Sequence, residues 1–181
     1  NHQLLQAWLD SDLARNPNCY LVFVGQNDGG DYGAQLLSDI AQSACAERVR
    51  ITGFAEPELF KNYLHACDLA IQLRTMSRGE TSGTVLDCMA HGIATIINAN
   101  GTMAELPADA LLKLPDTFAQ AQLVQAIQHL YQDAQARCEL GQKAIQHIRD
   151  HHQAFQIGQR YRDAIETYFV SQPLDQRDQL Y

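Results

Sequence analysis

Apolar positions along this chain alternate between two periods. Leu4, Leu5, Trp8, Leu9 and Leu13 recur at the spacing of one helix face, and Asn16-Pro17-Asn18 stops that helix. Tyr20-Leu21-Val22-Phe23-Val24 is apolar throughout, as suits a strand covered on both faces. Residues 25–30 are polar and glycine-rich and read as the loop after it. Leu36, Leu37, Ile40, Ala41 and Ala44 mark a second helix, and residues 49–54 a second strand. Pro57 suits the first turn of the next helix, whose buried side is Leu59, Phe60, Tyr63 and Leu64. A third strand over 68–73 and a fourth over 93–97 flank a helix that starts near Gly83. Leu111-Leu112-Lys113-Leu114 fits a short last strand. From residue 117 only the helical period remains. Phe118, Leu123, Ile127 and Leu130 mark one helix, Leu140, Ala144, Ile145 and Ile148 another, and Phe155, Tyr161, Ile165, Tyr168 and Phe169 a third.

Strands that alternate with helices predict an α/β domain with a Rossmann-like, doubly wound parallel sheet and right-handed crossovers. The expected organisation is a core over 1–116, further C-terminal helices of the same domain over 117–170, and a polar tail over 171–181 that frays or packs elsewhere. In such a sheet Gly25, Phe54, residues 74–83 and residues 98–102 gather along one edge, where nucleotides bind.

Composition narrows this picture. The 181 residues suit one domain, and 46% apolar with 19% charged residues reads as globular. A net charge of −8 excludes a general nucleic-acid or anionic-membrane surface, although backbone amides can still hold an anion locally. The five cysteines are widely spaced without a C-x-x-C pair, which predicts free, buried thiols in a reducing cytosol. No secretory leader is visible, and no apolar run approaches the ~20 residues that span a bilayer. The chain opens at Asn1-His2-Gln3 and runs straight into a helix, which reads as a fragment of a longer protein.

The chemistry concentrates in residues 78–92. Glu80 precedes a small polar turn, Thr81-Ser82-Gly83-Thr84, and Asp87 lies one turn into the helix that follows. A helix N-terminus offers free N–H groups and a positive dipole end, which favour phosphate. Gly83 admits a ligand close to the backbone, and Asp87 is spaced to meet hydroxyls attached to that phosphate. The plainer alternative is an ordinary strand-to-helix turn, with acids that the helix dipole favours anyway. The glycines over 25–33 lack G-x-G-x-x-G spacing and read as a flexible loop, with Gly25 in reach of a ligand. His147, His151 and His152 include an i,i+4 pair of zinc-like spacing, but no third ligand is evident and they read as surface residues, and His91 as a packed or capping residue. No acidic D-x-D cluster lies among the candidate site residues, so a metal is not implied.

The order Val24-Gly25, Thr52-Gly53-Phe54, Tyr63, Ala66-Cys67-Asp68-Leu69, Glu80-Thr81-Ser82-Gly83, Leu86-Asp87-Cys88-Met89-Ala90-His91-Gly92 and Gly101-Thr102-Met103-Ala104-Glu105 resembles the C-terminal, donor-binding half of GT-B glycosyltransferases. The likeness is greatest to the retaining family 4 and covers residues 1–170. The resemblance implies that Asp87 binds the donor ribose and that Glu80, the catalytic candidate, contacts the donor sugar. It further implies that Thr81, Ser82, Gly83 and Thr84 hold the diphosphate, and that Phe54 and Ala55 flank the base. Six residues separate Glu80 from Asp87 where the family has seven, so the strict partner position is Gly79. Ala94 replaces the family's proline.

The resemblance implies a hexosyltransferase whose donor is a nucleotide-diphosphate sugar, with retention, no cofactor, and a cytoplasmic location. It also implies that the domain's first strand, with the phosphate-binding Arg and Lys, and the whole N-terminal acceptor domain lie outside this sequence. The isolated fragment would then be inactive, and any contact with the inner membrane would run through the missing domain. The family's last helix crosses back to that domain, so its apolar positions are left without cover here. The alternatives are a sugar-nucleotide epimerase of GT-B fold and a non-catalytic nucleotide-sugar or protein-binding domain.

Overall fold

The computed structural model describes residues 1–171, so the tail expected over 171–181 lies, beyond Ser171, outside the described residues. Contacts divide the chain into two compact units, Asn1–Ile145 and a second that starts at Gln146.

Every strand and helix read from the periodicity is present. In chain order they are α1 (His2–Asp10), β1 (Leu21–Phe23), α2 (Asp31–Gln42), β2 (Val49–Ile51), α3 (Pro57–Ala66), β3 (Ala70–Gln72), α4 (Gly83–Ala90), β4 (Thr95–Asn98), β5 (Leu112–Leu114), α5 (Gln120–Gln132), α6 (Ala134–His151) and α7 (Ala154–Ser171). No helix among the described residues is long and apolar enough to cross a membrane.

All strand pairings are parallel. Leu21 lies opposite Val49, Ala70 opposite Thr95, and Ile96 opposite Leu112. The hydrogen bonds group the strands as β1-β2 and β3-β4-β5. One apolar core joins the two groups: Leu21, Val49, Ile96 and Leu114 from the strands meet Leu4, Leu5 and Trp8 of α1 and Leu123, Ile127 and Leu130 of α5. β4 is paired on both sides and buried at every position, so Ile96 and Ile97 lie in the core and the polar side chains at its two ends, Thr95 and Asn98, are hydrogen-bonded within the protein.

Helix α1 lies against α5, so the two ends of the first unit close on each other. Asn16 Nδ2 donates to the Tyr131 hydroxyl at 2.8 Å along the same seam. Arg48 secures the turn after α1: its guanidinium donates to the carbonyls of Asn16 at 2.8 Å and Cys19 at 3.1 Å, and it leans on the Trp8 ring.

Helix α4 ends in a Schellman motif. The Gly92 N–H donates to the Met89 carbonyl and the Ile93 N–H to the Cys88 carbonyl, both at 3.0 Å, with Gly92 at φ +69°. Gly141 of α6 abuts the Gly92 carbonyl so closely that no Cβ fits there.

The five cysteines are free, but burial holds only for Cys45 and Cys88; Cys19 is half-buried, and Cys67 and Cys138 are exposed. Apolar neighbours in sequence do not decide which side of a helix end faces the core. Helix α7 buries none of its residues, so its apolar period specifies a helix without specifying a cover.

Candidate functional site

The loops that leave the carboxyl ends of the strands carry the residues singled out by sequence, in two clusters. The first joins β1 and β2. The Gly25 N–H donates to Thr52 Oγ1 at 3.0 Å, and that hydroxyl donates to the Gly53 carbonyl at 2.8 Å. Gly25 and Gly53, at φ +137° and +72°, face each other across an antiparallel bridge, a geometry that glycine adopts without strain. The two loops are thereby pinned where the strands part. Phe54 emerges from this pin 71% exposed, a flat apolar face on a fixed turn, and Ala55 beside it is half-buried.

The second cluster is built on β3 and β4. Asn98, the last residue of β4, is 1% exposed. Its Oδ1 accepts the Arg74 N–H at 2.8 Å, and its Nδ2 donates to the Arg74 carbonyl at 2.7 Å and to the Asp116 carbonyl at 3.2 Å. One side-chain amide therefore does the work of a strand partner beyond the end of β3, and it ties the loops after β3, β4 and β5 together.

From Arg74 the chain turns through Gly79, at φ +89°, to Glu80. Glu80 Oε1 takes a hydrogen bond from Arg74 Nη1 at 2.6 Å, and Oε2 takes one from the Arg78 N–H at 2.8 Å. The Thr102 hydroxyl, from the loop after β4, donates to the Glu80 carbonyl at 2.8 Å. The backbone N–H groups of Glu80 and Arg78, and then the Arg74 guanidinium, hold the Glu80 carboxyl below the usual carboxylate range.

Thr81 is exposed and Ser82 is buried. Ser82 caps α4, its Oγ accepting the Val85 N–H at 3.4 Å. Gly83 is exposed and Thr84 half-buried, so the first amides of α4 open outward with the dipole's positive end. Asp87 lies one turn further on; it is exposed, and its carboxylate accepts no hydrogen bond from the described residues.

The structure thus brings Gly79, Glu80, Thr81, Ser82, Gly83, Thr84 and Asp87 around the start of α4, and sets Gly25, Phe54 and Ala55 on the β1–β2 loops. Among the described residues no hydrogen bond joins the two clusters. Sequence reading missed the fixing roles of Asn98, Thr102 and Arg74. An asparagine that closes an apolar strand was the available signal, since a buried amide must find partners. A hollow of about 250 Å³ lies at the opposite ends of β3 and β4, lined by His65, Cys67, His91 and Cys138 among others; none of the sequence-derived site residues borders it.

The family model described as Glycosyl transferases group 1 matches residues 1–147. No curated protein matches the sequence. Among solved structures, Anabaena HepE in complex with UDP superposes with a TM-score of 0.80 at 19% identity, over 92% of this chain and 45% of that one. The C-terminal domain of LpcC, a glycosyl transferase group 1 family protein from Francisella tularensis, superposes at 0.73 with 16% identity, over 84% of this chain and 80% of that one. Sucrose-phosphate synthase from Thermosynechococcus elongatus gives 0.70 at 20% identity, over 91% of this chain and 43% of that one. At these identities the likeness is one of fold, and this chain spans less than half the length of HepE and of the synthase.

Proposed function

The chain belongs to the group 1 glycosyltransferases and has the fold of their GT-B C-terminal domains, and from that premise we propose that its strand-end loops bind a nucleotide-diphosphate sugar. The observation that carries the proposal is the start of α4: an exposed, glycine-opened helix N-terminus, with an unengaged carboxylate one turn along. HepE, which shares the fold, was solved with UDP and with UDP-glucose.

In this reading the amides of Gly83 and Thr84, with the turn formed by Thr81 and Ser82, hold the diphosphate. Asp87 accepts hydrogen bonds from the ribose hydroxyls, Phe54 and Ala55 flank the base, and Glu80 meets the sugar. Gly25 closes the edge from the β1 side. Transfer to an acceptor builds negative charge on the leaving diphosphate, where fixed dipoles stabilise the transition state more than the bound donor. Retention, as in family 4, is part of the proposal and rests on the order of motifs. The acceptor is bound by polypeptide beyond this chain, and the donor is a substrate, so no resident cofactor is required.

Calorimetric titration of UDP, GDP and ADP and their sugar conjugates into this chain tests the reading. One nucleoside diphosphate should bind, and Asp87→Ala should weaken it about 10-fold or more, as expected when a charged hydrogen-bond acceptor is lost. Equal affinity in the variant would remove Asp87 from the site, and no binding either by this chain or by the longer protein expected to carry it would overturn donor binding altogether.

A further inference from the structure

We propose that Arg74 is a diphosphate-binding residue of the donor site, kept in place by Glu80 and exchanged from that carboxylate to the donor's phosphates. The inference rests on the donor reading above and deepens it. Arg74 is the cation whose charged group is bonded into the turn that leads to α4, with Nη1 2.6 Å from Glu80 Oε1. Its backbone is clamped on both sides by Asn98, through the N–H at 2.8 Å and the carbonyl at 2.7 Å. The guanidinium can therefore swing without any movement of the strand end that carries it.

Relative strengths favour the exchange. The Arg74 and Glu80 side chains are 29% and 50% exposed, and a pair this wet contributes little. A diphosphate offers the planar fork two oxygens at once, and such a pair is stronger than a single contact to a solvated carboxylate. Only Nη1 of the fork is engaged among the described residues; Nε and Nη2 hydrogen-bond no protein group. The chain as a whole carries −8, so a dianionic ligand has to be met by local positive charge. The amides of α4 supply partial charge of this kind, and Arg74 supplies the full one.

The exchange also gives Glu80 a use. When Arg74 leaves Oε1, Oε2 still accepts the Arg78 N–H and Thr102 still holds the Glu80 carbonyl. The carboxylate stays where it is, with one oxygen opened to a hydroxyl of the donor sugar. The Arg74–Glu80 ion pair is thereby exchanged for two ligand contacts.

Titration of the chain with UDP, or with whichever nucleoside diphosphate the wild type prefers, tests this against the matching nucleoside. Arg74→Ala should weaken the diphosphate about 10- to 100-fold and leave the nucleoside unchanged, the cost of a lost charge-assisted hydrogen bond. Glu80→Gln should tighten the diphosphate about 2- to 5-fold, because a weak competitor for Arg74 is gone. Arg74→Gln should flatten the fall of affinity with added salt, a readout that a folding defect does not mimic. Unchanged diphosphate affinity in Arg74→Ala, an equal loss for the nucleoside, or weaker binding in Glu80→Gln would overturn the exchange while donor binding stands. Silence with every nucleotide, both from this chain and from the longer protein expected to carry it, would overturn donor binding and this inference together.

Discussion

The carboxylate of Glu80 is held by backbone first and by charge second. Its own N–H and that of Arg78 lower its pKa more than Arg74 does. A folded-state pKa below the unfolded one stabilises the turn fully above the ordinary carboxylate range, and the contribution is lost as pH falls through the lowered value. A carboxyl-carbon NMR titration should therefore find Glu80 below that range, and Arg74→Ala should raise it only part of the way back; a full return would assign the shift to charge. The cysteines make a second case at this scale. Burial pushes the Cys88 thiol up to about 12; Cys67 and Cys138 are both exposed residues, but partial desolvation of the Cys67 thiol raises its pKa as well. With iodoacetamide at mildly alkaline pH, Cys138 should be alkylated first and Cys67 more slowly, and Cys45 and Cys88 only after unfolding, as read by peptide mass spectrometry. Five scattered cysteines in the sequence told of free thiols. Which of them meet solvent depends on a helix end and a helix face that residue type does not specify.

At the scale of elements, local rules account for where each one starts and stops. Ser82 caps α4 and Gly92 ends it, both by contacts within a few residues, so this part of the site could be read along the chain. Gly141 obeys a different logic. In the middle of α6 it costs about 1 kcal/mol of helix propensity relative to alanine. It is tolerated because its bare backbone meets the Gly92 carbonyl across the interface with the α4–β4 turn. Gly141→Ala gains that propensity and forces the two segments apart, a steric cost of about 1–3 kcal/mol or more, so the net effect is destabilising. Urea denaturation should show a lower midpoint; a more stable variant would mean that the two backbones do not touch. No pattern in the sequence announces this contact, because the two glycines belong to segments that only the packed helices bring together. Asn98 is a similar case: it is paired with Arg74, 24 residues away, and with Asp116.

For the whole molecule, the seam between α1 and α5 closes the core of the first unit. Ile127 is 1% exposed in that core with Leu5 and Trp8. Ile127→Ala should cost about 2–5 kcal/mol, the range for a truncated buried aliphatic, and should lower the melting temperature without displacing Glu80 or Asp87, neither of which belongs to that core. Loss of nucleotide binding at temperatures where this variant is fully folded would show instead that the seam positions the site. The sequence by itself determined the elements, their alternation and the contiguous turn from Gly79 to Asp87, because periodicity, caps and turn residues act over at most a few residues. Tertiary structure alone decided that α1 meets α5, that Asn98 carries pairing past the end of β3, that Arg74 occupies Glu80, and which thiols are covered. Those outcomes join residues tens of positions apart, and their energies exist only once the strands are in register and the helices lie against them.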